Sequence, residues 1–303
     1  MSSIFVQQVV LAEFHVKEGS TIIAAHPEMP PGVAEHHLAT LMLPEGLHHH
    51  HRDMDCSFFR VKRASETSDS AGKDSTDAPG DRLFAIAVAK TVRGEEHQRG
   101  AHVRALGVTS DFPAIGSLRP ALQFAINDCF SRDPAVAARA VQNWFTRLNA
   151  VDWDCVMRPP DALTRYCMRS RTSLTGISLG AVQSHDPPTD GRFAVSVEGL
   201  PAQALVDVTI CDESPALFGA SLTELVSHFG EYVPLIRDAV LAERSIMFIS
   251  GATSSAATLA GLVCGAAQLA APLSSFAMHR VFPYVSMTDM DFLQVKGCVG
   301  KRV

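Results

Sequence analysis

The chain has 303 residues, 47% apolar and 19% charged, which excludes a mostly disordered protein and leaves room for two modest domains. Its formal charge of −6 supplies no general basic field, so nucleic acid is not an expected partner, membrane contact is expected to be peripheral at most, and any charged partner must be met locally. The seven cysteines (Cys56, Cys129, Cys155, Cys167, Cys211, Cys264 and Cys298) are odd in number, scattered and without a CxxC pair, a pattern of reduced, buried thiols in a cytosolic protein rather than of a disulfide framework or a zinc ribbon.

The N-terminal run MSSIFVQQVVLAEFHV has no basic region ahead of its apolar positions, and Gln7, Gln8 and Glu13 interrupt it, so it is read as folded structure and not as a signal peptide. Residues 4–25 predict two strands around a turn at Lys17 to Ser20, where Gly19 in a polar break marks a hairpin. A Pro- and His-rich loop comes next, then LATLMLPEGLHHHHRDMD, then a strand over CSFFRVK. Residues 64–82 hold little beyond Ser, Asp, Gly, Thr, Lys and Ala, and are expected to form a disordered loop inserted between strands. LFAIAVAK and VRALGVTS supply the fourth and fifth strands.

Helices are predicted at about 115–131 and 134–150, with Pro134 opening the second and Val136, Ala140, Val141, Trp144, Phe145 and Leu148 at helical spacing. The first lobe, residues 1–150, is therefore five strands followed by two helices. Residues 151–215 read as an irregular linker whose plausible strands are FAVSV and ALVDVTI. The second lobe, residues 216–303, alternates helix and strand: SLTELVSHFGEYVPLIRDAVLAER as one broken or two consecutive helices, SIMFIS as a strand, 254–270 as a small-residue helix, and RVFPYVSM and DFLQVKGCV as closing strands. Ser221 with Glu224 is a capping-box pattern. The uncharged run from Ser245 to Met278 is too rich in Ala, Gly, Ser and Thr for a membrane span, and fits a helix buried against a sheet. The fold class is α/β throughout.

Four patterns could carry chemistry. Gly176-Ile177-Ser178-Leu179-Gly180 matches the GxSxG elbow of serine hydrolases, with Asp207 or Asp238 and then His279 in the required order. The elbow needs an apolar strand before it and a helix after it, whereas RSRTSLT is polar and Pro187-Pro188 soon interrupts what comes next, so a Gly/Ser loop is the better reading and a hydrolase through Ser178 a minor alternative. His48 to His51, with His36 and His37 upstream, have the composition of a metal tract. Adjacent histidines on an extended chain point to opposite sides, though, and no metal site is expected. Ile249 to Ser254 could cradle phosphate between a strand and a helix but lacks both the P-loop lysine and the GxGxxG spacing, so a structural turn is favoured. Cys264 lies in the small-residue helix and is expected to be inert core.

Three stretches carry a resemblance: Gln98 to Val108 with the helix through Phe124 and Phe130; residues 221–250; and Pro283 to Asp291 with the strand FLQVKGCV; LPEGLHHHHRDMDCSFF adds a weaker one. In order and spacing they resemble the LCHN-like branch of the DENN family, related to folliculin and to the fungal Arf-interacting late-secretory proteins. The resemblance implies a longin-like first lobe and a central-DENN-like second lobe, a small GTPase of the Rab or Arf type held between them, and no cofactor. Guanine-nucleotide exchange in membrane traffic would follow from binding the nucleotide-free GTPase more tightly than the loaded one.

The chain reaches Val303 soon after the last of these stretches, which sets a scaffold that pairs with another longin or DENN protein beside exchange as an expectation. Arg99-Gly100 matches the context of the folliculin arginine finger, which makes Arg99 the candidate finger and Arg99 and Arg104 candidates for GTPase binding; the competing reading makes both solvated residues at the start of a strand. Location is expected to be cytoplasmic, with peripheral contact to endomembranes.

Overall fold

Five segments that alternate apolar residues between two faces form one antiparallel sheet in the computed structural model, which describes residues 5–29, 35–44, 53–63, 82–93, 101–131, 133–151, 192–195, 206–209, 222–242, 244–249, 254–269 and 281–286. They are β1 (Gln8–His15), β2 (Gly19–His26), β3 (Met54–Lys62), β4 (Arg82–Arg93) and β5 (Ala101–Ser110), in the order β2-β1-β5-β4-β3. All five were legible from composition. Gly19 closes the first hairpin with φ of +79°, a conformation that costs glycine nothing. The β1–β2 register slips between Leu11 and Ala12, so Ile23 is the extra residue of a bulge.

Because side chains alternate along a strand, the sheet has two apolar faces, and both are covered. One face brings Val9, Leu11, Phe58, Ile86, Leu106 and Val108 into a cluster with the helical segment 113–129 and with α3 (Pro134–Asn149). The other packs Val10, Ala12, Phe59, Ala87 and Ala105 under α1 (Glu35–Met42). Gly107 lies where α1 comes closest, since a Cβ there would stand 3.0 Å from the Met42 methyl. The mixed α/β class and the sheet-first order with helices after it are those expected of a longin-like lobe.

Some elements differ from expectation. Helix α1 lies where a loop and an unassigned run were read, because Pro30, Pro31 and four histidines around it masked a helix only eight residues long. The predicted helix 115–131 is instead a 3₁₀ turn (Pro113–Leu118), the short helix α2 (Arg119–Ala125) and a second 3₁₀ turn (Ile126–Cys129). Pro113 and Pro120 each begin a new segment, and the Asn127 amide bonds back to the carbonyl of Phe124 at 2.9 Å, tightening the last turn. Asp133 caps α3 by accepting from the Ala135 N–H at 2.9 Å.

Further along, β6 (Arg192–Val195) and β7 (Val206–Thr209) form an antiparallel pair within the two segments read as strands. Of the two alternatives, one broken or two consecutive helices, the structure shows two, α4 (Leu222–Phe229) and α5 (Val233–Leu241), separated by a turn that starts at Gly230 with φ of +46°. α6 (Ala256–Gln268) begins at Ser255, whose hydroxyl accepts from the Thr258 N–H at 3.1 Å.

The strands expected over SIMFIS and RVFPYVSM are corrected: residues 244–249 and 281–286 have no strand geometry. An apolar run becomes a strand only where a neighbour completes its ladder, and Ile249 remains 80% exposed. In the second segment Pro283 withholds an N–H, and the Phe282 ring lies 5.7 Å from the Arg60 guanidinium and 5.4 Å from that of Arg82, so stacking rather than pairing holds it. The loop 64–82 and the strand DFLQVKGCV fall outside the described residues, apart from Arg82 itself, which opens β4.

α6 packs on β3, with Ala260 and Cys264 in the same cluster as the sheet. The tie is polar as well as apolar. The buried Asp55 carboxylate accepts from the Ala256 N–H at 2.9 Å and reaches the Ala257 N–H at 3.5 Å, placing a negative charge at the helix N-terminus. Asp55→Ala is expected to destabilise the protein by about 1–3 kcal/mol by leaving these donors unbonded. Urea unfolding checks this, and a midpoint unchanged from the parent would contradict it.

Candidate docking surface

The inward-facing parity of the sheet turns polar at one end. Glu13 follows Val9 and Leu11 on β1, His102 and Arg104 precede Leu106 on β5, and Glu13 sits directly across from Arg104 in the β1–β5 register. The Arg104 Nε donates to Glu13 Oε2 at 2.8 Å and a second guanidinium nitrogen lies 2.7 Å from the same oxygen. Nη1 of Arg104 donates to the carbonyl oxygens of Cys129 at 2.6 Å and Ser131 at 2.7 Å. Arg104 is therefore not the solvated residue that one reading expected: it is 6% exposed and ties β5 to β1 and to the chain leading into α3.

The aromatic side of this cluster is Phe130. His102 meets its ring edge-on at 5.6 Å, and Arg104 and Lys90 lie 5.9 Å and 5.4 Å from its centre. His102 Nε2 is 3.3 Å from the other Glu13 oxygen. The hydrogen bond from His102, joined by the hydrogen bond and charge of Arg104, outweighs burial and holds the Glu13 carboxyl well below the usual carboxylate range, at about 2.

A carboxyl depressed by folding stabilises the folded state above its unfolded value of about 4.3, and that stability is lost as pH falls toward 2. Discounted for the part of Glu13 still open to solvent, the contribution is on the order of 2 kcal/mol. Glu13→Gln is therefore expected to flatten the loss of melting temperature between about pH 5 and pH 2; parallel profiles for parent and variant would rule this out.

Residues 94–100 are outside the described set, and with them Arg99, the candidate finger. Ser178 and its GxSxG run, His48 to His51, Ser221 of the capping box, and Gly251 to Thr253 are outside it too. Among the described residues no group of His, Cys, Asp or Glu could hold a metal ion, and no helix is long and apolar enough to cross a membrane. Cys56, Cys129 and Cys264 are free and buried; burial pushes the Cys56 and Cys129 thiols up to about 12 and raises that of Cys264 as well, as inert core thiols require.

Apart from Val136 on α3, the exposed large apolar side chains among the described residues lie in two places that sequence reading did not single out. On the β1–β2 hairpin they are Phe14, Val16 and Ile23. On α4, α5 and the segment after them they include Val226, Tyr232, Leu235, Met247 and Ile249, and no residue of α5 is buried. A sequence read as helix does not say whether a neighbour covers its apolar side chains.

The lobe is thus an antiparallel sheet covered by helices on both faces, with its ionic cluster directed inward and some apolar residues left outside. Residues 8–105, from the first residue of β1 to the middle of β5, match the family model described as the docking domain of Afi1 for Arf3 in vesicle trafficking. No curated protein matches the chain.

Proposed function

We propose that the chain docks an Arf-type small GTPase in vesicle traffic through the lobe built on residues 8–105. The observation that carries this reading is the match of that span to an Arf3 docking domain, since the span contains four of the five strands whole and the fifth to Ala105. Docking of this kind needs shape and apolar contact and no nucleophile. The protein works in the cytoplasm and reaches vesicle surfaces through its GTPase.

The test is direct. A panel of purified Arf-type GTPases, each loaded with GDP or with a non-hydrolysable GTP analogue, is titrated with the full chain by calorimetry, and at least one is expected to bind with an affinity that depends on the nucleotide. If no member binds in either state, the reading fails. Accelerated release of fluorescent GDP is the finer form of the same reading; it rests on the resemblance to DENN exchange factors, and docking stands without it.

A second reading makes the chain a scaffold for another longin or DENN protein. It is favoured by the uncovered apolar residues of α4 and α5, which are more than a third exposed at Leu222, Val226, Leu235 and Leu241. A native complex that contains such a protein and no GTPase would favour this reading over the first.

A further inference from the structure

We infer that the GTPase contact is the β1–β2 hairpin, where the outer side of β2 adds to a strand edge of the GTPase and Phe14, Val16 and Ile23 form the apolar part of the interface. The inference rests on the docking role proposed above and assigns it to one surface.

Two observations meet on this hairpin, and a third sets the opposite edge apart from it. Among the described residues, strand order leaves β2 at the end of the sheet with β1 as its strand neighbour, so its outward N–H and C=O groups beyond Ser20 form a template for another strand. The opposite edge is engaged differently: β3 carries α6, whose first turn is bonded to Asp55. Within the span that matches the Arf3 docking domain, the large apolar residues exposed by more than a third, among the described residues, are Phe14 at 41%, Val16 at 38% and Ile23 at 37%.

The bulge adds a reason for Ile23 to matter. In an unbroken ladder its neighbours Ile22 and Ala24 would be separated by one residue paired across to β1; instead Leu11 pairs with Ala24 and Ala12 with Ile22, leaving Ile23 without a partner on β1. An isoleucine so placed on an edge strand is unusual, because edges are commonly protected by charge or proline. Strand addition supplies affinity through main-chain bonds, and side chains such as Ile23 and Phe14 supply selection. The faces of β2 are already used, one by α3 through the His26 to Phe145 ring contact at 4.9 Å and the other by α1, against whose buried residues Ile22 and Ala25 pack; His36 also takes the Ser20 carbonyl at 3.1 Å, so the open part of the strand begins beyond Ser20. What is left for a partner is the edge.

The experiment compares the full-length parent with Ile23→Lys and Phe14→Ser, which place polar groups on the contact, and with Leu235→Lys, which alters a residue 65% exposed on α5 outside the matched span. Circular dichroism melts establish that each variant is folded. With the GTPase and nucleotide state that the parent binds best, both hairpin variants are expected to weaken binding about ten-fold or more, and Leu235→Lys to leave it unchanged. Folded hairpin variants that bind like the parent overturn the surface while the docking role stands, as does loss of binding confined to Leu235→Lys. A parent that binds no GTPase overturns both. Light scattering on the parent alone covers the remaining occupant: a dimer that Ile23→Lys converts to monomer would assign the edge to a second copy and overturn the GTPase contact.

Discussion

Arg104→Ala is expected to lower the unfolding free energy by about 3–5 kcal/mol, a large part of the total for a domain of this size. The loss comes less from the missing attraction than from what is left behind. Glu13 keeps His102 but loses the two nitrogens that meet its Oε2 at 2.8 and 2.7 Å, and the carbonyls of Cys129 and Ser131 lose their donor in a buried setting. The double variant Arg104→Ala with Glu13→Ala removes the stranded charge as well, so it should lose less than the sum of the two single changes. Arg104→Lys keeps the charge but cannot serve Glu13 and two carbonyls with one compact ammonium, and is expected to fall between parent and alanine. Urea titrations of the parent, the two single alanine variants, the double variant and Arg104→Lys measure all of this. Additive losses would show that Arg104 and Glu13 act independently.

That same residue shows how far the sequence could be read. The resemblance around Arg99-Gly100 makes Arg104 a candidate contact for a partner, and the competing reading makes it a solvated residue at the start of a strand. Its parity argued for something else: Arg104 stands two residues before Leu106, as Glu13 stands two residues after Leu11, so both charges fall on the inward face of adjacent strands. Two opposite charges at inward positions are the signature of an internal pair, but their register becomes visible only once β1 is known to pair with β5, 91 positions away along the chain.

The five strands were legible as β-rich apolar runs bounded by polar or Gly-containing breaks, and α3 because its period of 3.6 persists over 16 residues. α1 was hidden by its length and flanks, and the segments at 244–249 and 281–286 were misread because an apolar run carries no information about whether a pairing partner exists. The hairpin surface was hidden for the converse reason. Phe14 and Ile23 look like ordinary strand residues; only the structure shows that Phe14 stands exposed near the tip of the hairpin and that Ile23 is the bulged residue of a strand at the end of the sheet.

Trp144→Ala is the other substitution expected to cost about 3–5 kcal/mol, through lost burial and the cavity that replaces the indole. Trp144 is 1% exposed, meets Phe124 edge-to-face at 6.3 Å, and donates its indole N–H to Asp128 Oδ2 at 3.1 Å. It thus fastens α3 to the 3₁₀ turn that ends the preceding helical segment. On its outer side, Arg147 stacks over the ring at 5.1 Å beside a surface pocket of about 370 Å³ bordered by Val136, Arg139 and Asn143. Truncation would merge the vacated space with this pocket, and water entering it would offset part of the cavity cost, which favours the lower end of the range. Trp144→Phe separates the terms: it keeps most of the apolar volume and removes the N–H, and should cost about 1 kcal/mol from the lost hydrogen bond plus a smaller packing loss. If phenylalanine destabilised as much as alanine, the bond to Asp128 rather than burial would be what holds α3 in place. A near-neutral alanine would mean instead that α3 is held to the sheet by its contacts with β1 and β2 alone.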